Sequence, residues 1–320
     1  MSAPDYRRLK SALVTGGSGF IGRWLIMALR DAGTRVTAIV DPSRQNPDTI
    51  PEDVEIKRGS LLDPSLLPQS LSNCQFDGVF HLAGQSLVSA GREFPKQTLE
   101  TNVASVWNLL DAMRFGLADQ LVLVSSDKVC AHSAHSQAQP LNIDPYTASK
   151  LCAELVAQSY ASTFGLPIAI ARFSNVYGGG DLNFSRLVPD AIRSALFGQK
   201  FLMRSDGATK VQVLYVKDAV SALLWLDAIL RSDRSLSGRA FGFSAPPEVT
   251  LNEIVELIDR VTHQRRTEAV TNDPKLNRPQ KDFSQLEAGG WQPRYTLSQG
   301  LEESVSWYRS HLASAEALVS

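Results

Sequence analysis

The stretch Leu13-Val14-Thr15-Gly16-Gly17-Ser18-Gly19-Phe20-Ile21-Gly22 places glycines at positions 16, 19 and 22 between a short apolar run and a helical pattern. Glycine permits a tight turn and a close backbone approach, and a helix N-terminus attracts anions through its free N–H groups and its dipole. A glycine-rich turn without a ligand would show the same spacing. With a strand before it and a helix after it, the stretch predicts a dinucleotide-binding turn formed by Gly16, Gly19, Phe20, Ile21 and Gly22.

An acidic residue follows at the distance typical of such a turn. Asp41 ends the second predicted strand nineteen residues after Gly22, where a carboxylate would accept hydrogen bonds from an adenosine ribose diol. The same carboxylate would repel a 2′-phosphate, so NAD is the expected cofactor, while Arg44 leaves NADP as an alternative. Asp63 is either an adenine contact or a capping residue before Pro64.

Short β-branched runs alternate with helix-length amphipathic segments through the first half of the chain. Several of these runs are apolar almost throughout, as burial on both faces by crossover helices demands. The pattern predicts an α/β fold with a doubly wound parallel sheet and a smaller, interleaved α/β substrate domain towards the C-terminus. The predicted strands are 12–14, 35–40, 54–57, 76–82, 120–124 and 167–171, and the predicted domains are 8–176 with 211–240 for the dinucleotide and 177–210 with 241–320 for the substrate.

Composition and charge exclude several classes of protein. The 320 residues carry 32 Lys and Arg against 33 Asp and Glu, so the chain lacks the electropositive character of a nucleic-acid-binding protein. The longest apolar stretch is shorter than the roughly 20 residues of a membrane span. His132 and His135 have no third ligand nearby, and the cysteines lie far apart, so no metal site is expected. We therefore expect a cytoplasmic protein that binds neither nucleic acid nor membrane.

A second group of residues carries reactive side chains. Asp144-Pro145 is a helix start signal, and Tyr146 and Lys150 then lie about one turn apart on one face of that helix. A lysine ammonium at this distance would lower the pKa of the phenol and could donate to a cofactor ribose, which would make Tyr146 a usable base. Upstream, an apolar strand ends in Ser125-Ser126-Asp127-Lys128, at the sheet edge where open α/β folds bind their ligands.

These motifs occur together over about residues 10–312. They are the glycine turn, His81-Leu82-Ala83-Gly84-Gln85, Thr101-Asn102-Val103, Ser125-Ser126-Asp127-Lys128, Tyr146 with Lys150, and Asn175-Val176-Tyr177-Gly178-Gly179-Gly180-Asp181. The set resembles the extended short-chain dehydrogenase/reductase superfamily, in its NAD-dependent epimerase/dehydratase family, with the greatest likeness to the CDP-glucose 4,6-dehydratases. The resemblance implies a Rossmann sheet and an NAD-dependent nucleotide-sugar 4,6-dehydratase, a lyase that removes water from a nucleoside-diphosphate hexose.

The resemblance also implies a role for each matching residue. Ser126 and Tyr146 would hydrogen-bond the O4 hydroxyl of the sugar, and Lys150 would anchor the nicotinamide ribose. Asp127 would protonate the departing C6 hydroxyl, and Lys128 occupies the position of the base at C5, a role that requires a neutral lysine. Beyond the glycine turn, Asp41 and Asp63, the implied cofactor contacts are Leu62, Leu82, Ala83, Gln85, Asn102, Tyr146 and Lys150.

Most of the implied substrate contacts lie in the second half of the chain. Asn175 could bind the phosphates of the nucleotide sugar through its amide, and arginines would supply the cations that a diphosphate requires. This chain has Lys210-Val211-Gln212 where relatives carry an arginine. Lys210 would therefore attract the phosphates as a single positive charge, without the paired hydrogen bonds that an arginine guanidinium can donate. The full set of implied substrate contacts is Gln85, Ser126, Asn175, Arg186, Arg204, Lys210 and Arg278.

Two other functions stay open. A 4-epimerase or a 4-ketoreductase could use Ser126, Tyr146 and Lys150 without a further acid and base, so Asp127 and Lys128 favour the dehydratase unless they form only a surface ion pair. A non-catalytic dinucleotide sensor is a third interpretation, which an intact Tyr146 and Lys150 disfavour. The family also implies a homodimer with a four-helix interface, for which we expect the last helix, at about 297–311, and the helix predicted over 95–114.

Overall fold

The computed structural model describes residues 9–43, 50–71, 74–130, 143–199, 201–203, 207–264, 268–270 and 290–312. The chain divides into two compact units. The first contains Met1–Phe173, Val220–Phe243 and Lys281–Trp291, and the second contains Ser174–Ala219, Ser244–Gln280 and Gln292–Ser320.

Strands and helices alternate along the described residues. The strands are β1 (Ser11–Thr15), β2 (Arg35–Val40), β3 (Glu55–Arg58), β4 (Gly78–His81), β5 (Leu121–Ser126), β6 (Ile168–Phe173), β7 (Asn175–Tyr177), β8 (Phe201–Met203), β9 (Lys210–Tyr215), β10 (Ala240–Phe243), β11 (Ala245–Thr250) and β12 (Glu268–Val270). The helices are α1 (Phe20–Asp31), α2 (Leu66–Leu71), α3 (Val88–Glu93), α4 (Pro95–Leu99), α5 (Ser105–Arg114), α6 (Pro145–Phe164), α7 (Leu187–Phe197), α8 (Val216–Ser232), α9 (Leu251–Thr262) and α10 (Leu297–Leu312).

A seven-stranded parallel sheet forms the centre of the first unit, in the order β10-β6-β5-β4-β1-β2-β3. Its central strands are buried on both faces, as the apolar run Ala12, Leu13 and Val14 shows with no exposed surface. The order of the strands reverses between β1 and β4, which is where open α/β sheets bind ligands at the carboxyl ends of their strands. The structure confirms the predicted doubly wound parallel sheet.

The second unit contains two small sheets. In one, β9 pairs in parallel with β7 and antiparallel with β11, and in the other β8 pairs in parallel with β12. Among the described residues, the division differs from the predicted domain boundaries at 174–176, 211–219, 241–243 and 290–291. β9 lies in the second unit because its partners there are β7 and β11, and β10 lies in the first because Ala240 pairs in register with Ile170 of β6.

The last helix, α10, is one of the two helices expected at a dimer interface, and that interface remains a prediction. The apolar side chains Leu301, Val305 and Tyr308 of α10 are buried, and none of the large apolar side chains described on this helix is among the exposed ones. On the segment predicted as one helix over 95–114, Leu99 and Trp107 are exposed. Among the described residues, no helix is both long enough and apolar enough to cross a membrane.

Candidate active site

The glycine turn joins β1 to α1. Gly16 has a φ of 69°, in the left-handed region that favours glycine, and a Cβ there would lie 2.8 Å from the backbone nitrogen of Ala83 after β4. A Cβ on Gly22 would collide with the carbonyl oxygen of Gly16. α1 begins after Gly19 with no side-chain cap and no acidic residue in its first turn, so its first N–H groups are left for an anion. The turn therefore fits the pyrophosphate of a dinucleotide such as NAD.

Two carboxylates lie where the adenosine half of a dinucleotide was expected. Asp41 follows β2 and is partly buried, and its Oδ1 accepts hydrogen bonds from Ser43 N and Oγ at 3.0 and 2.6 Å. Asp63 is exposed and accepts from Ser65 N and Oγ at 2.9 and 2.7 Å, and these bonds hold the pKa of its carboxyl below the usual value. These bonds stabilise the local turn around Pro64, and the predicted adenine contact of Asp63 remains a prediction. Arg44 lies outside the described residues.

His81 connects the ends of β1 and β4. Its Nδ1 lies 2.8 Å from Thr15 Oγ1, which also accepts from the Ala83 N–H at 3.2 Å. Its Nε2 lies 3.4 Å from Ser105 Oγ, whose hydroxyl donates to the carbonyl of Thr101 at 2.6 Å. Since the Ser105 proton is used in that bond, His81 donates from Nε2 and accepts at Nδ1. Burial, reinforced by the charge of Lys150, lowers the pKa of His81 to about 3, so the ring is neutral and supports the glycine turn.

Asn102 lies on a π-helical turn, Glu100–Ala104, between α4 and α5. π-helical turns inside helices occur frequently at functional sites. The Asn102 side chain accepts from Gln85 N at 2.7 Å and donates to Gln85 O at 3.0 Å and to Ser149 Oγ at 2.8 Å. Ser149 in turn donates to the carbonyl of Tyr146 at 2.7 Å. Asn102 thus joins the loop after β4 to the helix that carries Tyr146 and Lys150.

The side chain of Gln85 is used within its own loop. Its Nε2 donates to the carbonyl of Leu87 at 2.7 Å, and its Oε1 accepts from Leu87 N at 2.5 Å. These bonds shape the loop that leads into α3. The predicted contacts of Gln85 with cofactor and substrate remain predictions.

The start of α6 follows from its sequence. Asp144 is the N-cap, and its Oδ1 accepts from Tyr146 N at 3.0 Å and from Thr147 N at 3.1 Å. Pro145 occupies the first helical position, where its missing N–H costs no hydrogen bond. Tyr146 is only 5% exposed. The cap therefore fixes the turn that presents the Tyr146 side chain.

Lys150 lies about one turn after Tyr146. Its Nζ donates to the carbonyl of Val124, near the end of β5, at 3.2 Å. Burial lowers the pKa of its ammonium to about 8, and the carboxylate of Glu154 opposes that effect. An ammonium with this pKa is still mostly protonated at neutral pH. It can act as a cation beside Tyr146 and as a hydrogen-bond donor.

Three predicted catalytic residues follow one another at the end of β5. Ser126 Oγ donates to Asp127 Oδ1 at 3.0 Å and accepts from Lys128 N at 3.3 Å. Lys128 Nζ lies 3.8 Å from Asp127 Oδ1, and the side chains of Asp127 and Lys128 are only 5% and 20% exposed. The alternative of a surface ion pair is therefore wrong, because the pair is largely removed from solvent beside a hydroxyl group.

The sequence analysis missed a buried ion pair behind these residues. Glu154 accepts from Arg172 Nη2 at 2.5 Å, from Arg172 Nε at 3.0 Å and from Ser125 Oγ at 2.5 Å. The Glu154 and Arg172 side chains are 1% and 5% exposed. A charged residue inside the apolar strand β6 was the signal that could have revealed the pair, because buried charges need partners.

The predicted residues of the first unit lie together. They follow the carboxyl ends of its parallel strands or bond to residues that do, so they share one edge of the sheet. They are Gly16, Gly19, Phe20, Ile21, Gly22, Asp41, Leu62, Asp63, Leu82, Ala83, Gln85, Asn102, Ser126, Asp127, Lys128, Tyr146 and Lys150.

The predicted substrate contacts of the second unit are spread over three elements. Asn175 is the exposed first residue of β7, and Lys210 is the exposed first residue of β9. Arg186 lies at the N-cap of α7, and its Nη1 pairs with Asp181 Oδ2 at 2.9 Å. Arg204 and Arg278 lie outside the described residues, as do His132 and His135.

Comparisons with known proteins agree with this arrangement. The model of the NAD dependent epimerase/dehydratase family matches residues 12–240. The chain is 27% identical to CDP-glucose 4,6-dehydratase of Salmonella typhimurium over 97% of this chain and 93% of that protein. It is 28% identical to UDP-glucose 4-epimerase of Corynebacterium glutamicum over 95% and 99%. The solved structure of the epimerase Mth375 of Methanothermobacter thermautotrophicus has a TM-score of 0.84 at 22% identity and covers 98% of this chain and 96% of that one. The resemblance found in the motifs is confirmed: the chain belongs to the NAD-dependent epimerase/dehydratase family and is an enzyme of that family.

Proposed function

We propose that this chain is an NAD-dependent nucleotide-sugar 4,6-dehydratase that acts on CDP-glucose or a close relative of it. The observation that carries the proposal is the buried Asp127, which accepts a hydrogen bond from Ser126 and pairs with Lys128. Elimination needs an acid and a base in addition to Ser126, Tyr146 and Lys150, and Asp127 and Lys128 supply both types of group. The similarity to CDP-glucose 4,6-dehydratase supports the same activity.

The residues at the sheet edge have separate roles in this proposal. Tyr146 takes the proton of the sugar's O4 hydroxyl, while Ser126 hydrogen-bonds the same oxygen and Lys150 holds the cofactor ribose. The glycine turn and Asp41 would hold NAD, which when bound would supply the acceptor for the C4 hydride and the donor for C6. The 4-ketone acidifies the C5 proton, which Lys128 takes in its neutral form, and protonated Asp127 donates to the departing C6 hydroxyl. Lys128 returns its proton to C5 as C6 receives the hydride, so the sugar loses one water and its number of hydrides is unchanged.

The residues proposed to bind the diphosphate belong to the second unit. Asn175 offers a side-chain amide, and Lys210 and Arg186 offer positive charge. Arg204 and Arg278 complete the proposed set. The overall net charge of −1 gives no long-range attraction for an anionic substrate, so local cations must bind it.

The test replaces Asp127 with Asn and follows the two stages separately. We expect C4 oxidation of CDP-glucose to persist while loss of water, measured by mass spectrometry of the product, falls by roughly 10²–10⁴-fold, the usual effect of a positioned acid. Asp53→Asn, at an exposed ion pair with Arg30, is the matched control and should dehydrate at the wild-type rate. Unimpaired elimination by Asp127→Asn would remove Asp127 from the mechanism.

A 4-epimerase is the second candidate, because the chain is 28% identical to a UDP-glucose 4-epimerase. A panel of CDP-, GDP-, UDP- and dTDP-sugars separates the candidates. A dehydratase forms a 4-keto-6-deoxy product without net NADH, an epimerase leaves the mass of the sugar unchanged, and a 4-ketoreductase consumes added NAD(P)H. A dinucleotide sensor would convert none of them.

A further inference from the structure

The ion pair between Glu154 and Arg172 has no part in the chemistry proposed above. Both side chains are almost fully buried, and both carboxylate oxygens of Glu154 accept from Arg172. Apolar side chains of similar volume could fill such a space without the cost of desolvating two charges. The charges therefore call for an explanation beyond packing.

Glu154 lies behind the predicted catalytic residues. It is on α6, about one turn beyond Lys150, and its Oε1 accepts from the hydroxyl of Ser125 at 2.5 Å. Ser125 pairs in register with Arg172 of β6 and directly precedes Ser126. Lys150 Nζ bonds to the carbonyl of Val124, the residue before Ser125. Two residues of α6 thus hold two successive residues of β5, next to the strand end that carries Ser126.

We propose that Glu154, held in place by Arg172, is a positioning residue. It fixes the face of α6 that carries Tyr146 and Lys150 against the end of β5 that carries Ser126, and its carboxylate is the counter-charge of the Lys150 ammonium. The inference rests on the proposed roles of Tyr146 and Lys150.

The surroundings of Lys150 make this counter-charge matter. Burial lowers the pKa of Lys150 to about 8, and Glu154 works in the opposite direction. His81 on β4 adds no charge because burial lowers its pKa to about 3. The other charged or titratable groups on neighbouring elements include Asp144 and Tyr146 at the start of α6, Asp127, Lys128 and Cys130 after β5, Arg172 on β6, Asp111 and Arg114 on α5, and exposed side chains at Arg92, Glu93, Lys96 and Glu100. Loss of the carboxylate should therefore lower the pKa of Lys150 further.

The test measures the ionisation of Lys150 directly. The full chain is labelled with a trace of acetic anhydride across a pH series, and peptide mass spectrometry gives the pH at which Lys150 becomes reactive. In Glu154→Gln we expect this midpoint to fall by about one pH unit, the lower end of the effect of a close opposite charge. Glu154→Asp, which keeps the charge, and the distant Asp53→Asn should keep the wild-type midpoint.

A purely structural role gives the opposite sign. If loss of Glu154 only loosened the packing, water would reach Lys150 and its midpoint would rise towards about 10.4, the value of a solvated lysine. An unchanged or raised midpoint in Glu154→Gln would overturn the proposal. If that variant does not fold, the double variant Glu154→Gln/Arg172→Gln takes its place, because it leaves no unpaired buried charge. In the double variant we expect the Lys150 midpoint to fall by less than in Glu154→Gln. A midpoint that does not fall would overturn the proposal. The labelling needs no substrate, so its result is separate from whether the enzyme dehydrates a nucleotide sugar.

Discussion

At the scale of single residues, His81 makes the stability of the protein depend on pH. Burial lowers the pKa of the native ring to about 3, against 6.5 for a solvated ring. Above about pH 6.5 the folded and unfolded states are both neutral at this residue. Below it the unfolded chain takes up a proton that the native state does not, so stability is lost as the pH falls, by about 1.4 kcal/mol per pH unit. We expect His81 to account for about 2 kcal/mol of lost stability between pH 6.5 and 5.

Urea unfolding of wild type and His81→Gln at pH 7 and pH 5 measures this contribution. At pH 7 the variant should be less stable, because its side chain cannot reproduce the bonds to Thr15 and Ser105. At pH 5 the difference should shrink by the same 2 kcal/mol, to order of magnitude. His311→Gln, at an exposed position on α10, is the control. A difference from wild type that is equal at the two pH values would mean that His81 takes up its proton in the native state.

Part of the site could be predicted from single residues, and part could not. Tyr146 and Lys150 could be predicted because helical spacing alone places them on one face. Ser126 could be predicted because it ends an apolar strand. The ion pair between Glu154 and Arg172 could not be predicted from the sequence. It depends on α6 lying across β6, and no local pattern fixes which buried charge meets which.

At the scale of elements, the N-cap of α6 controls the position of Tyr146. Asp144 Oδ1 is the acceptor for the backbone N–H groups of Tyr146 and Thr147. Asp144→Ala should lower the free energy of unfolding by about 1 kcal/mol. It should also lower kcat, because the first turn of α6 would fray and displace the phenol. Asp144→Ser keeps a capping oxygen and should restore most of both quantities. A fully active and fully stable Asp144→Ala would mean that packing alone holds the turn.

Element types were predictable, and two details of their arrangement were not. The continuous helical pattern over 95–114 gives no sign of the π-helical turn Glu100–Ala104, because a widened turn preserves the composition of the helix. The partners of β9, which are β7 and β11, are set by tertiary contacts that a single segment does not encode. The glycine turn and α1 were predictable because their residues act locally.

At the scale of the whole molecule, α5 and α6 pack against each other and leave apolar side chains exposed. Tyr160 on α6 donates to Asp111 on α5 at 3.1 Å, which joins the two helices. Trp107 on α5 is 44% exposed, and Leu155 and Phe164 on α6 are 56% and 46% exposed. Leu155 and Phe164 are nine residues apart and so lie on opposite sides of α6, and we therefore call only Trp107 and Leu155 the apolar face. The apolar face involves α6 and the 95–114 segment, whereas the interface expected from the sequence combined that segment with the last helix.

We propose that the apolar face pairs with the same face of a second copy, since a two-fold axis would bring two helices from each chain into one four-helix interface. A stable interface typically buries about 800 Å² of surface on each partner, so it would have to extend beyond these side chains over the rest of the two helices. Light scattering after size-exclusion chromatography should then give twice the chain mass for the wild type and the chain mass for Leu155→Glu, because a carboxylate in the buried contact has no partner. Met27→Glu is the matched control, since Met27 is 43% exposed on α1, outside this face, and the variant should remain a dimer. A monomeric wild type, or a dimeric Leu155→Glu, would show that the apolar face is not where two chains meet.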